Sequence, residues 1–153
     1  MLKVVLYQPE IPPNTGNIAR TCAATETELH LVGNLGFDIS DSAVKRAGLD
    51  YWPYVDLHQH PDWDSFTKIQ RQRGGKLIAF SVRGTSSYTS YAFETEDWLL
   101  FGPESKGLPI EMMKTCNTIL QIPILNPNVR SLNLSVSVAV SLYEAKRQLG
   151  AIS

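Results

Sequence analysis

The 153 residues fit one domain, which at this length buries a core without disulfides or a structural metal. With 43% hydrophobic and 19% charged residues and only short apolar runs, the composition excludes a disordered, collagen-like or membrane-spanning chain. A net charge of −1 excludes a strongly basic nucleic-acid-binding module, so RNA contacts would depend on local basic patches. Cys22 and Cys116 lie in apolar segments typical of free thiols, and Met1 leads into a strand rather than a signal peptide. We therefore expect a cytoplasmic protein.

The first half of the chain alternates apolar runs with amphipathic segments. Apolar and β-branched residues predict a first strand, which the prolines at 9, 12 and 13 end. The helix that follows has Asn14 or Thr15 as its predicted cap, and Ser40 or Asp41 is the predicted cap of a short basic helix that ends at Gly48. The predicted strands are 2–7, 28–32 and 54–58, and the other predicted helices are 14–25 and 61–73.

The second half continues this alternation, with predicted strands over 76–82, 98–101 and 118–124 and a helix over 108–116. Residues 134–142 alternate polar and apolar side chains, which is the period of a strand. A cap at Asn133 or Ser131, good helix formers after Tyr143 and a stop at Gly150 nevertheless favour a helix. Strands alternating with helices predict an α/β domain with a mostly parallel sheet flanked by helices.

The segment from Leu99 to Gly107 is the first candidate for a functional site. An apolar strand is stopped by Gly102 and Pro103, and a carboxylate, a hydroxyl and an amine follow at once. Glu104 is therefore expected at the carboxyl edge of the sheet, where open α/β sheets bind ligands. An ordinary turn after a strand is the alternative.

Two further segments combine polar groups with a helix start. In 14–20, Asn17 and Arg20 share a helix face, and the alternative is a capped helix with one solvated arginine. Residues 126–135 form a polar loop that enters the last helix and could hold an anion or a polar small molecule, or simply cap the helix.

Other site types receive little support from the sequence. His58, His60, Asp62 and Asp64 have the spacing of metal ligands, but no cysteine or further histidine completes a site, so we expect a solvated loop and no metal. The chain has no nucleophile elbow, no Walker loop and no Gly-x-Gly-x-x-Gly fingerprint, so a nicotinamide cofactor is not expected.

Three ordered segments together resemble the three motifs of the SPOUT superfamily of RNA methyltransferases: 14–20, 101–108 and 122–137. Residues 6–13 and 46–51 add to the similarity. The resemblance implies a single domain over 1–153 with a C-terminal trefoil knot over about 76–150 and S-adenosylmethionine as methyl donor. It further implies methylation of the ribose 2′-hydroxyl of the wobble nucleotide, position 34, of tRNA. The alternatives are a non-catalytic cofactor- or RNA-binding module of the same fold, and 2′-O-methylation of another RNA.

The resemblance also assigns roles to individual residues. The expected cofactor contacts are Phe80, Gly102, Ile122, Ser131 and Leu132. Arg20 is expected to act on the 2′-hydroxyl, assisted by Asn17, Glu104 and Ser135. Because a guanidinium keeps its proton near neutral pH, we expect Arg20 to stabilise charge rather than to accept the proton. The expected contacts to the tRNA anticodon stem-loop are Asn14, Lys45, Arg46, Arg83 and Arg130. A small, nearly neutral chain offers little area for tRNA, so we expect a homodimer whose sites use both subunits.

Overall fold

Seven strands form one sheet in the order β3-β2-β1-β6-β4-β7-β5, and every neighbouring pair is parallel. The computed structural model describes residues 1–48 and 50–152. Leu49, part of the 46–51 segment, and Ser153 therefore lie outside the described residues. The strands are β1 Lys3–Tyr7, β2 Glu28–Val32, β3 Leu57–His60, β4 Leu77–Phe80, β5 Ser86–Ser87, β6 Trp98–Phe101 and β7 Thr118–Gln121. The helices are α1 Pro12–Ala24, α2 Ser42–Gly48, α3 Trp63–Arg73, α4 Ile110–Met113 and α5 Leu134–Gln148, with 3-10 turns at Trp52–Tyr54 and Tyr88–Ser90.

The sheet is covered on both faces, which explains why its central strands read as unbroken apolar runs. Every residue of β4 and β6 is buried. On one face Ile18 of α1 and Leu142 of α5 join the core, and on the other Phe66 of α3 and Met112 of α4 do so. Two-sided burial is the usual arrangement of a parallel sheet, and it confirms the predicted α/β domain. None of the described helices has the length and apolar character that a membrane crossing requires.

The strand order determines where a ligand could bind. From β1 the chain moves outward through β2 to β3, then crosses to β4, and β6 later fills the place between β1 and β4. The loops that follow β1, β4, β6 and β7 therefore gather at one carboxyl edge. This edge contains the reversal of strand order at which α/β sheets bind their ligands.

The structure confirms most predicted elements and corrects several boundaries. The last helix is confirmed, and the side chain of Asn133 caps it by accepting hydrogen bonds from the amides of Ser135 and Val136. The predicted cap of α1 is wrong. This helix begins at Pro12, and its N-cap residue Ile11 supplies no side-chain bond. Proline is well tolerated in a first helical turn because the amide it lacks would have no helical partner there.

The remaining differences are at element ends. β3 begins at Leu57 rather than at 54, because Trp52–Tyr54 forms a 3-10 turn. The predicted helix 108–116 is helical only over Ile110–Met113, and β7 ends at Gln121. The two-residue strand β5, formed by polar serines, was not predicted, because it has no apolar pattern to reveal it.

Candidate active site

A cavity of about 430 Å³ opens at the carboxyl edge of β4, β6 and β7. Its volume is within the range of small-molecule sites, and apolar side chains and loop backbone line it together. All five residues expected to contact the cofactor lie on its wall: Phe80, Gly102, Ile122, Ser131 and Leu132. Phe80 ends β4, Gly102 follows β6 and the other three lie after β7, so topology brings together residues that are distant in sequence.

Gly102 is needed because the backbone of its own loop folds back closely against it. A Cβ atom there would lie 2.5 Å from the carbonyl carbon of Gly107 and still closer to the amide nitrogen of Leu108. A side chain at 102 would therefore meet the returning backbone of its own loop before it entered the cavity. Glycine at 102 is therefore required by the tight closure of the loop 102–108 against this position.

Glu104 joins two loops of the carboxyl edge. Its carboxylate accepts hydrogen bonds from the backbone amides of Glu10, at 2.8 Å, and Ile11, at 2.9 Å. In return, Glu10 Oε1 accepts from the amide of Ser105, at 2.8 Å, and from its hydroxyl, at 2.7 Å. These Ser105 hydrogen bonds hold the pKa of Glu10 below its ordinary value. We call this pair of reciprocal contacts the carboxylate clasp. The clasp places the negative charge of Glu104 at the start of α1. The N-cap residue of this helix, Ile11, has no side chain that could cap it.

Asn14 extends the clasp to the third segment. Its side chain is 7% exposed. The amide nitrogen donates to Glu104 Oε2, and the oxygen accepts from Asn133 Nδ2, both at 3.2 Å. Asn133 in turn caps α5 and accepts from the hydroxyl of Ser135. Asn14 therefore connects all three motif segments, and its buried, satisfied amide favours a positioning role over the expected contact with RNA.

Arg20 and Asn17 lie on an exposed part of α1, and neither belongs to the cavity wall. Arg20 extends toward Tyr51, where one guanidinium nitrogen donates to the phenol oxygen at 3.1 Å. Ser135 is also absent from the wall, whereas Glu104 is part of it. Within one chain, Glu104 therefore lies on the cavity wall, whereas Arg20, Asn17 and Ser135 do not.

The expected RNA-binding cations are divided in the same way. Arg83 and Arg130 line the cavity, and Lys45 and Arg46 are exposed on α2. Gly16 allows α2 to approach α1 closely, because a Cβ there would lie 2.8 Å from the carbonyl oxygen of Val44. The two helices therefore lie close together, and each carries exposed basic residues that do not line the cavity.

The residues with the spacing of metal ligands do not form one site. His58 and His60 lie on β3, and Asp62 lies at the start of α3. Asp62 caps α3 by accepting from the amide of Ser65. Among the described residues, the one group with metal-like geometry is Glu28, His30 and His58, whose ligand atoms lie within 4.8 Å of one another. Both Glu28 oxygens already accept hydrogen bonds at 2.7 Å from Arg73. A bound cation would have to displace that guanidinium.

Comparison with known proteins agrees with the geometry. The model of the SpoU rRNA Methylase family matches residues 1–143. The chain belongs to the SpoU rRNA methylase family. It is 56% identical over 149 residues to a putative tRNA (cytidine(34)-2′-O)-methyltransferase of Synechocystis, with 97% of each chain covered.

Two solved structures extend the comparison. A structure described as "Structural insights into the 2-OH methylation of C/U34 on tRNA" shares 52% identity, with a TM-score of 0.94 over 99% of this chain and 98% of the other. An AdoMet-bound rRNA methyltransferase from Sinorhizobium meliloti shares 28% identity and a TM-score of 0.89, over 99% of this chain and 57% of the other. The resemblance seen in the three motifs is confirmed.

Sequence reasoning missed several residues that organise the SpoU site. Glu10 and Ser105 complete the carboxylate clasp, and Asn133 joins α5 to Asn14 in addition to its predicted capping role. The contact of Tyr51 with Arg20 was missed too. Helix and strand patterns carry no signal for such contacts, because each pair is brought together only by the folded sheet.

Proposed function

We propose that the protein transfers a methyl group from S-adenosylmethionine to the ribose 2′-oxygen of nucleotide 34 of tRNA. The observation that carries this proposal is the convergence of all three motif segments on one cavity, in a chain that matches C34 methyltransferases along nearly its whole length. The match covers 97% of this chain and 97% of the Synechocystis relative.

The cavity suits a purine nucleoside with a polar tail. Phe80, Ile122 and Leu132 supply apolar surface for a base, and the loop backbone at Gly102 and Ser131 is open to polar groups. When bound, S-adenosylmethionine supplies a methyl group on a positively charged sulfur. This chain's residues would hold that donor at the carboxyl edge and align it with an incoming ribose, and such alignment supplies a large part of the rate of a two-substrate reaction.

Arg20 is the candidate for charge stabilisation at the ribose. A guanidinium offers only N–H donors and no acceptor, so Arg20 would stabilise negative charge that develops on the 2′-oxygen rather than remove the proton. Its planar group of donors could hold a phosphate of the RNA at the same time. Glu104 would act chiefly through the carboxylate clasp, which fixes α1 relative to the cavity.

A homodimer would bring the divided groups together. Within one chain Arg20 and Ser135 lie off the cavity wall, so a second copy is the proposed source of the missing groups. An unpartnered stripe on α5 supports this arrangement, because Val136 and Tyr143 share a helix face and are 47% and 45% exposed. Sedimentation should find a dimer, and a monomer that is fully active at nanomolar concentration would contradict it.

Two further features complete the proposal. The trefoil knot over about 76–150 is inferred from family membership, and it would hold the loops after β6 and β7 against each other. A tRNA substrate and two free cysteines fit the cytoplasm.

Labelled S-adenosylmethionine and total tRNA provide the direct test. Label should appear in a nuclease-resistant dinucleotide, because a methylated 2′-oxygen blocks cleavage of the adjoining phosphodiester. Mapping of the methylated site along a purified tRNA should place that dinucleotide at positions 34 and 35. Label elsewhere would indicate another RNA site, and no incorporation despite cofactor binding would indicate a non-catalytic module.

A further inference from the structure

Arg20 has an aromatic partner that leaves its charge intact. Its guanidinium carbon lies 4.5 Å from the centroid of the Tyr51 ring, and its Nη2 donates to the Tyr51 hydroxyl at 3.1 Å. No carboxylate forms a salt bridge with Arg20 among residues 1–48 and 50–152. The guanidinium of Arg20 thus lies over the Tyr51 ring and also donates one hydrogen bond to the Tyr51 hydroxyl.

This choice of partner matters for a group that stabilises a developing anion. A carboxylate would hold the arginine more tightly, but it would also cancel much of the positive charge that the 2′-oxygen requires. A tyrosine ring attracts the cation through its quadrupole and adds no net charge. Because the guanidinium has five N–H donors and the phenol uses one, the others remain available to RNA.

Tyr51 is itself fixed by the chain around it. Its carbonyl oxygen accepts from the amide of Tyr54, at 2.9 Å, and so begins the 3-10 turn Trp52–Tyr54. The next residue, Trp52, packs against the hydrophobic core, as does Val55. The ring therefore stands on an anchored turn, whereas Arg20 is a long side chain on an exposed helix face, with much rotational freedom to lose.

We propose that Tyr51 is the positioning residue of Arg20, restricting the guanidinium to the orientation used in methyl transfer. The inference rests on the role proposed for Arg20 in the function above. It gives the segment 46–51 a role in catalysis, because Tyr51 is the last residue of this segment. It also predicts that Tyr51 acts on the rate of transfer and has little effect on binding of S-adenosylmethionine, whose cavity it does not line.

A set of three substitutions tests the contact. Tyr51→Leu removes ring and hydroxyl and should lower kcat about tenfold or more, whereas Tyr51→Phe keeps the ring and should lower kcat only a few-fold. Cofactor affinity by calorimetry should change less than about twofold in both. Tyr54→Phe is the matched control, because Tyr54 lies in the same turn, is 76% exposed and holds no guanidinium, so its kcat should stay at the parental value.

A double-mutant cycle separates this inference from the function on which it rests. In an Arg20→Ala background, Tyr51→Leu should have almost no further effect on kcat, because two residues that act through one group are not additive. Full additivity would overturn the positioning role, as would a parental kcat in Tyr51→Leu when Arg20→Ala is inactive. If Arg20→Ala itself retains full activity, the proposed function of Arg20 fails first. If Tyr51→Leu does not fold, the same cycle with Tyr51→Phe decides.

Discussion

The protein contains two polar assemblies, which differ in their position on the sheet and in whether a cavity adjoins them. The carboxylate clasp and its extension through Asn14 lie beyond the strand ends, beside an open cavity. The second assembly, which we call the histidine cluster, comprises Glu28, His30, His60 and Arg73 and lies on the strands β2 and β3 and the end of α3. Groups within the strands face a neighbouring helix, whereas groups just past the strand ends lie beside the cavity.

The histidine cluster is closed by its own hydrogen bonds. Because the Glu28 carboxylate can only accept, His30 donates to it from Nε2, and His30 Nδ1 then accepts from His60 Nε2 at 2.8 Å. Phe66 and Trp98 pack edge-on against the His30 ring. Both oxygens of Glu28 and both ring nitrogens of His30 are paired inside the protein, so the cluster serves stability, and we expect it to have no part in methyl transfer.

The largest effect is expected at Arg20. Arg20→Ala and Arg20→Lys should each lower kcat by about two orders of magnitude or more, the scale of removing one transition-state donor, because lysine cannot reproduce the planar group of donors. S-adenosylmethionine affinity should change little, as measured by calorimetry. Exposed Arg71 on α3 is the matched control, and Arg71→Lys should methylate at the parental rate. Parental rates in both Arg20 variants would show that this arginine is only a surface residue.

A smaller loss is expected when the carboxylate clasp is weakened. Glu104→Gln keeps the shape but replaces one accepting oxygen with a donor, which would face a backbone amide of Glu10 or Ile11. We expect kcat/KM to fall by about tenfold to a hundredfold, because hydrogen bonds to a charged group contribute about 1.5–3 kcal/mol each. Exposed Glu111 on α4 provides the control, Glu111→Gln. Equal activity of the two variants would mean that the clasp does not position α1.

The sequence was informative wherever one local pattern decided the structure. The runs at β1, β2 and β6 could be placed because buried strands must be apolar, and the last helix could be chosen over a strand because Asn133 and Gly150 mark its ends. The wall of the cavity followed from family motifs. The clasp could not be predicted, because Glu104 caps a helix 90 residues away and no local rule connects Glu104 with Asn14. The same holds for Gly102, whose neighbours are fixed by the closure of its loop.

Gly102 provides a test of the loop itself. Gly102→Val should displace the backbone at Gly107 and Leu108 and lower S-adenosylmethionine affinity about tenfold or more, with circular dichroism unchanged. Gly107→Ala is the control from the same loop. Its Cβ would meet nothing within 4 Å, although a φ of +68° makes the change cost about 1 kcal/mol. A greater loss of affinity in Gly107→Ala than in Gly102→Val would contradict the account of close approach at 102.

The smallest effect on catalysis, and a distinct effect on stability, is expected in the histidine cluster. His30→Gln can still donate to Glu28 and accept from His60, so kcat near neutral pH should stay within about twofold of the parental value. Burial lowers the pKa of His30 from 6.5 to about 4, and it also lowers the pKa of His60. Between pH 6.5 and about pH 4, His30 is protonated in the unfolded chain but not in the native protein. The free energy of unfolding should therefore be greatest above pH 6.5 and decline as the pH falls to about 4, with His30 accounting for about 3 kcal/mol.

Glu28 adds a second, more acidic window of the same sign. The hydrogen bonds from Arg73 lower its pKa from 4.5 to about 2, so its contribution is present above pH 4.5 and is lost as the pH falls toward 2. Urea unfolding between pH 7.5 and 4.5 isolates the histidines. His30→Gln should flatten the dependence of the free energy of unfolding on pH and leave only the part due to His60. His58→Gln changes a ring that is 39% exposed, so this variant should keep most of the pH dependence. A parental free energy of unfolding that is constant across this range would show that the cluster does not exclude protons. A loss of kcat in His30→Gln at neutral pH would instead remove the distinction between the two assemblies.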